Sequence, residues 1–389
     1  MKRRDFIRNA AFVGATASLI RPLGSRILTP RVFKEKQQSL DLQHDDKDSS
    51  RDRNPLDILS STLVVNGLDP SILNEKYVEM LKAGKVNCWH RTMSGLQSFA
   101  DAYNFLDDHS NDIVAATTVR EIKQAHQKGK ISLVFGWQSA GKVLQGQEHG
   151  TSGPPRTELR AYYQLGLRIV GITYNVTNYF GGGNLDLDIG LTRVGRRLVE
   201  EIHKLGIILD IGGHTGEKTS FEAIEMSPGM PVICSHTNVK AINDNHRCIS
   251  DRLMEAIAKT GGVIGLTAIN DFHVRNKSNS NIPITPPTTL DKHLDQYDYA
   301  RKLIGADYIG IAPDFVEGSL PITDETMNTE VWPLEWNSRG PILYIKGFEN
   351  ITELPHVVRG LIERGWSTGE IRKVLGENWL RVYQQVWGA

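Results

Sequence analysis

Cysteine is scarce. Three residues in 389, Cys88, Cys234 and Cys248, exclude a disulfide framework. Cys88 and Cys234 lie inside apolar runs and read as buried thiols. Net charge is also missing, since Lys plus Arg and Asp plus Glu both number 45, so no field favours nucleic acid or an anionic membrane surface. No apolar run reaches the roughly 20 residues that a membrane-spanning helix needs. No Gly-x-Gly-x-x-Gly follows a β-rich run, so a dinucleotide site has no support. What remains is ordinary for a soluble globular protein, with 40% hydrophobic and 23% charged residues and ample length for a large core.

The N-terminus is not expected to belong to the fold. Lys2-Arg3-Arg4-Asp5-Phe6 stands before the mildly apolar Ala10–Ile20. An arginine pair ahead of a short apolar stretch reads as a twin-arginine export signal, placed here at residues 1–28 and implying a periplasmic protein. Residues 29–55 are polar, densely charged and without apolar periodicity, and read as a disordered linker.

From residue 56 to 389 the chain alternates between two patterns. Near-continuously apolar runs occur at Thr62–Asn66, Val86–His90, Ile131–Trp137, Leu167–Tyr174, Ile207–Ile211, Pro231–Ser235, Gly262–Thr267 and Tyr308–Ala312. Such runs suit strands buried on both faces of a parallel sheet. Helical spacing of apolar residues marks Ile72–Lys82, Val119–Lys128, Thr192–Lys204, Ser250–Lys259, Thr289–Ile304 and a final amphipathic Thr368–Trp387. Glycine recurs at the helix–strand joins, as in Leu205-Gly206 and Ile304-Gly305, where a helix C-terminus favours it. Eight alternations predict an α/β fold, a (β/α)8 TIM barrel.

Barrel active sites form where strands end. The predicted endings supply Asp69, His90, Gln138, Tyr174 with Asn175, His214, His236 and Asp314. Imidazole nitrogens and carboxylate oxygens converging on one mouth suit a divalent metal such as zinc. His214 and His236, from adjacent strands, form the candidate ligand pair. His109, His126, His149, His203 and His356 read as structural. Gly181-Gly-Gly-Asn184 follows the fourth apolar run and reads as a flexible lid, because no phosphate-binding helix signal comes after it.

Seven stretches carry a family resemblance. They are Thr173-Tyr-Asn-Val-Thr-Asn178, Gly190-Leu-Thr-Arg-Val-Gly195, Leu209-Asp-Ile-Gly-Gly-His-Thr-Gly216, Pro231-Val-Ile-Cys-Ser-His-Thr-Asn238, His246-Arg247 through Asp251, Asp307-Tyr-Ile-Gly-Ile-Ala-Pro-Asp314 and Gly376-Glu-Asn-Trp-Leu-Arg-Val382. From about Ile58 onward the chain resembles the membrane (renal) dipeptidases, peptidase family M19. The resemblance implies the metal-dependent-hydrolase type of barrel and, in typical members, a two-zinc site that hydrolyses dipeptides. Family members often form homodimers.

Residue by residue, the resemblance makes His214 and His236 metal ligands, with one extra glycine before His214. It makes Arg247 the partner of a substrate carboxylate, Asp314 the proton-shuttling aspartate and Asp69 a further ligand. The family's strand-1 histidine is Gly67 here, its metal-bridging glutamate is Gln138, and its strand-4 histidine is Tyr174. A neutral amide cannot replace a carboxylate that neutralises two cations, so one zinc is expected in place of two, or none. His90, Asn175 and Gln138 join Arg247 as expected substrate contacts, and Tyr174 can still donate to a developing oxyanion.

Three readings stay open. One is an exported hydrolase of a dipeptide-like or other small amide. Another is a lyase or isomerase with little or no metal, since fold alone does not fix chemistry. The third is an inactive small-molecule binder. Export is testable directly: Arg4→Lys should leave the protein in the cytoplasmic fraction, and undiminished periplasmic protein would refute the signal.

Overall fold

The computed structural model describes residues 53–144, 156–274, 286–318 and 342–388. The expected export signal, and the expected linker up to residue 52, lie outside the described residues. Helix α1 (Pro55–Ser60) leads to β1 (Val65–Asn66), α2 (Glu75–Ala83), β2 (Cys88–Thr92), α3 (Leu96–Asp108), β3 (Ile113–Ala115), α4 (Val119–Gln127) and β4 (Ile131–Trp137). Next come α5 (Arg156–Gln164), β5 (Leu167–Gly171), α6 (Arg193–Leu205), β6 (Ile208–Asp210), α7 (Glu217–Glu225), β7 (Val232–Thr237), α8 (Asp251–Lys259), β8 (Ile264–Leu266), α9 (Leu290–Ile304) and β9 (Ile309–Ile311). Helices α10 (Leu354–Glu363), α11 (Thr368–Arg372) and α12 (Asn378–Trp387) follow.

All strand pairs are parallel, in the order β1-β2-β4-β5-β6-β7-β8-β9. Two backbone hydrogen bonds draw the ends of that path together: Gly67 N–H donates to Ile311 O at 2.9 Å, and Asp314 N–H to Leu68 O at 3.2 Å. The expected (β/α)8 barrel is therefore present. Strand β3 is an addition that the sequence reading did not anticipate. It pairs with Ile131–Leu133 of β4, whereas β5 pairs with Phe135–Trp137. Three residues are too few for a periodicity signal.

Side chains from the strands sort into two layers. One cluster takes a residue from each barrel strand or its edge: Val65, Cys88, Val134, Ile169, Ile208, Ile233, Val263 and Ala312. Alternate residues, such as Trp89, Leu133, Phe135, Leu209 and Cys234, belong to the larger cluster shared with the helices. The first set is the barrel interior. Trp379, Val382 and Tyr383 of α12 join it. The final amphipathic segment therefore does more than pack on the barrel; it inserts into it.

That segment is not one uniform α-helix. A π turn at Lys373–Glu377 separates α11 from α12. At Gly376 a Cβ would meet Leu63 O at 2.0 Å, so close backbone approach requires glycine. Local chemistry sets other boundaries. Asn74 caps α2 and delays it relative to the expected start at Ile72. Thr118 with Glu121, and Ser367 with Glu370, form capping boxes. Gly206 ends α6 at φ 70. Among the described residues no helix is long and apolar enough to cross a membrane. Cys88 and Cys234 are buried thiols, as expected, and Cys248 is buried as well.

Behind the barrel wall, His273 and His293 pair at 2.9 Å through Nε2 and Nδ1. His273 Nδ1–H donates to Ile269 O at 2.8 Å, so His273 Nε2 accepts from His293. Burial pushes His273 down to about 4 and His293 well below its ordinary value. An unfolded chain binds these protons from about pH 6.5 downward, whereas the native state excludes them. Stability from this pair is thus complete above pH 6.5 and is lost as pH falls toward 4. His273→Asn should reduce the pH dependence of unfolding in that window by about 1.4 kcal/mol per pH unit, roughly one proton. Urea unfolding at pH 5 and pH 7 checks this; an unchanged slope would mean that the native imidazole is protonated.

Candidate active site at the barrel mouth

Two imidazoles define the site. His236 lies within β7, and His214 follows β6 by four residues. Both are at least 96% buried, and their Nε2 atoms stand 2.9 Å apart. Their Nδ1 atoms are held from outside. His214 Nδ1–H donates to Asn175 Oδ1 at 2.5 Å. Ser235 Oγ–H donates to Asp210 Oδ2 at 2.6 Å, which leaves Oγ to accept from His236 Nδ1–H at 2.7 Å. Asp210 Oδ1 is fixed by Gly212 N–H and Ser235 N–H, at 2.7 and 2.9 Å. Both Nε2 lone pairs therefore face inward, the arrangement seen when an outer partner fixes the tautomer of a metal-binding histidine.

Two donors reach those lone pairs. Gln138 Nε2 lies 3.2 Å from His236 Nε2 and 3.5 Å from His214 Nε2. Arg247 Nη2 lies 3.1 Å from His214 Nε2. Burial, and then the charge of Arg247, hold both imidazoles well below their ordinary pKa. Arg247 is itself buried, with its guanidinium 5.0 Å from the Phe272 ring centre. Its Nη1 has no hydrogen-bond partner among the described residues. A buried guanidinium with an idle donor suits an anionic ligand.

The two glycines before His214 make this packing possible. A Cβ on Gly212 would lie 2.9 Å from Ser235 Oγ, and one on Gly213 would meet Arg247 Nη1. The extra glycine in the motif thus gives the guanidinium its place over the chain.

The remaining expected residues divide. Tyr174 stacks on His214, with ring centres 3.8 Å apart. Asn175 sits at φ 63, a left-handed conformation that asparagine tolerates. Its Oδ1 holds His214, so it orients a ligand candidate. Asp314 is also at φ 60, and burial raises its carboxyl to about 7. Left-handed non-glycine residues cluster at functional sites, where surrounding structure enforces them.

Asp69 is not brought to the histidine pair. Its Oδ1 accepts from Ser71 N–H at 2.9 Å, and its Oδ2 accepts from Asn66 Nδ2 at 3.1 Å and from Tyr77 Oη. Among the described residues no three His, Cys, Asp or Glu side chains are arranged to hold a metal. The expectation of Asp69 as a third ligand is corrected accordingly: it ties β1 to α2. His90 donates from Nδ1 to Gly67 O at 2.5 Å, and its buried Nε2 has no partner among the described residues. A Cβ on Gly136 would lie 2.0 Å from that Nε2, so glycine there is what admits the ring.

Trp379 was missed altogether. A Cβ on Gly67 would meet Trp379 Cζ2 at 2.3 Å, and one on Gly310 would meet its Nε1 at 2.3 Å. The indole occupies the space that a side chain at Gly67 would enter. No periodicity rule shows a helix entering a barrel, although the paired glycines on neighbouring strands were a visible sign. The glycine-rich stretch is also not a lid. Gly181, Gly182 and Gly183 are buried, and a Cβ on any of them would lie 2.6 Å or less from a neighbour.

Comparison with known proteins gives the family and the fold. A family model described as membrane dipeptidase (peptidase family M19) matches residues 77–329 and 339–388. An amidohydrolase from Pseudomonas aeruginosa superposes with a TM-score of 0.74 at 27% identity, covering 87% of this chain and 100% of that one. A metallo peptidase from Rhodobacter sphaeroides, solved with a phosphinate mimic of the dipeptide L-Ala-D-Ala, superposes with a TM-score of 0.66 at 18% identity, covering 84% and 100%. An uncharacterized protein from the pqqA 5' region of Klebsiella pneumoniae is 27% identical over 238 residues, 59% of this chain and 76% of its own length. On the match to its family model and the barrel that carries it, the chain belongs to the membrane dipeptidase family, peptidase family M19.

Proposed function

We propose that this chain is an exported, periplasmic hydrolase that cleaves a dipeptide-like or other small amide with a single zinc ion. The observation that carries the reading is the pair of inward-facing Nε2 lone pairs 2.9 Å apart, beside a buried guanidinium with an idle donor.

The residues fit one ion and not two. His214 and His236 would hold it, with the Gln138 side chain at hand. A second ion lacks its ligands: Gly67 has no side chain, Trp379 fills the adjoining space, and the oxygens of Asp69 are engaged. When bound, zinc supplies Lewis-acid polarisation of a carbonyl and a lowered pKa for water.

The chain's own groups account for the rest. Arg247 Nη1 binds the substrate carboxylate. Tyr174 donates a hydrogen bond to the oxygen on which charge develops. The Asp314 carboxyl, held near neutrality by burial, takes the proton of the attacking water and passes it to the leaving amine. His90 Nε2 accepts from a substrate N–H. The mimic bound by the Rhodobacter relative makes alanine dipeptides the first substrates to try.

One observation favours a second reading. Arg247 and Gln138 already donate to both lone pairs, and a cation 3.1 Å from His214 opposes another. A metal-free lyase or isomerase, or a binding protein, would use that network as it stands.

Metal content separates the two. Protein purified without chelator or added metal should carry about one zinc per chain, and His214→Ala or His236→Ala should carry none. Metal-free wild-type protein would transfer the assignment to the second reading. Gly67→His should still bind one, because Trp379 blocks the new ring; a second equivalent would refute the exclusion. Asp314→Asn should lower kcat on a cleaved dipeptide about a hundred- to ten-thousand-fold while zinc stays bound; an unchanged kcat would remove Asp314 from proton transfer.

A further inference from the structure

One side chain outside the mouth joins its two halves. Asn184 ends the glycine-rich stretch between β5 and α6. Its Nδ2 donates to His246 O at 2.8 Å and also to Gly213 O. Gly213 immediately precedes His214, and His246 immediately precedes Arg247. The Asn184 backbone N–H donates to His214 O at 3.1 Å. One residue therefore holds three carbonyls that flank the metal-binding imidazole and the carboxylate-binding guanidinium.

The chemistry used is that of the NH2 group. Both its hydrogens are engaged, whereas Oδ1 is buried without a partner among the described residues. Leaving an acceptor idle is a cost that makes sense only if the donors are needed. The glycine run explains the reach. A Cβ on Gly183 would meet Asn175 O at 2.1 Å, and Gly183 bridges to Thr215, so the loop lies directly on the His214 segment. Asn184 also lines a pocket of about 180 Å³, with Gly213, Lys240, His246 and Glu217.

We infer that Asn184 is a positioning residue that keeps His214 and Arg247 in register, so that metal binding and substrate-carboxylate binding depend on one amide. The inference rests on the proposed single-zinc hydrolase for its functional readouts, and on the geometry of the metal-free chain for one more. Asn184→Asp is nearly isosteric and sets a carboxylate oxygen against two carbonyl oxygens; Asn184→Ser, shorter and less disruptive, serves if the first does not fold.

Neither variant alters a group that touches zinc or substrate. Each should nonetheless weaken zinc binding about ten- to a hundredfold, the range for outer partners of metal ligands. Each should also raise KM for an alanine dipeptide, with melting temperature held within a few degrees. Arg247→Ala should raise KM while keeping zinc, and His214→Ala should lose zinc. The joint effect is what distinguishes positioning from either role alone.

The metal-free readout is the downfield proton resonance of His214 Nδ1–H bonded to Asn175, identified by its loss in His214→Gln. It should shift or broaden in the Asn184 variants. If wild type neither binds zinc nor cleaves dipeptides, the proposed function fails, and a shifted resonance still supports positioning. Unchanged zinc affinity and KM in an active enzyme, or an unmoved resonance in an inactive one, would overturn it.

Discussion

Two neutral imidazoles, buried and facing each other across 2.9 Å, are the constraint around which the rest of the mouth is arranged. Lone pairs at that distance repel unless something positive or a donor stands between them. The arrangement survives because each ring is gripped on its other nitrogen, one by Asn175 and the other by Ser235 backed by Asp210. Burial and Arg247 disfavour protonation, so the rings stay neutral. Asn175 in turn occupies a left-handed conformation, and two glycines ahead of His214 leave room for Ser235 and Arg247. Left-handed backbone and absent side chains are the means by which one short distance is maintained.

The departures from the family pattern are not independent losses. A histidine removed at position 67 would leave a hole in a close-packed interior, and such holes are costly. Here the Trp379 indole fills it. A glutamate at position 138 would be a buried carboxylate beside neutral imidazoles; an amide avoids that charge and supplies a donor to both. Gly67 and Trp379 fit together sterically, and Gln138 meets both imidazoles without adding charge. The positive charge at the mouth is that of the buried Arg247, which lies against the His214 ring.

Much of this was legible because barrels concentrate information at predictable places. All eight barrel strands appear as apolar runs, since strands covered on both faces need no polar alternation. Reading each strand's end named His214, His236, Gln138 and Tyr174, which the structure brings together. Three features stayed hidden for physical reasons. Asp69 looked like a ligand because it ends a strand, but Tyr77, eight residues on, claims it. The glycine run looked mobile because glycine permits freedom, yet here glycine answers close contact. Trp379 drew no reading of its own within the final amphipathic segment, because periodicity shows which face is buried and not what it enters.

That last point changes what counts as the floor of the site. Trp379 stands over Gly67, whose carbonyl fixes His90 Nδ1, whose ring in turn lies against Gly136, two residues before Gln138. The first and last of these contacts require a glycine at the point of approach. A chain of packed groups thus runs from α12 to the amide that faces both imidazoles. Stiff interiors transmit displacement along such contacts, because close-packed side chains have little volume in which to absorb it. The last helix of the chain therefore belongs to the mouth as much as any βα loop does.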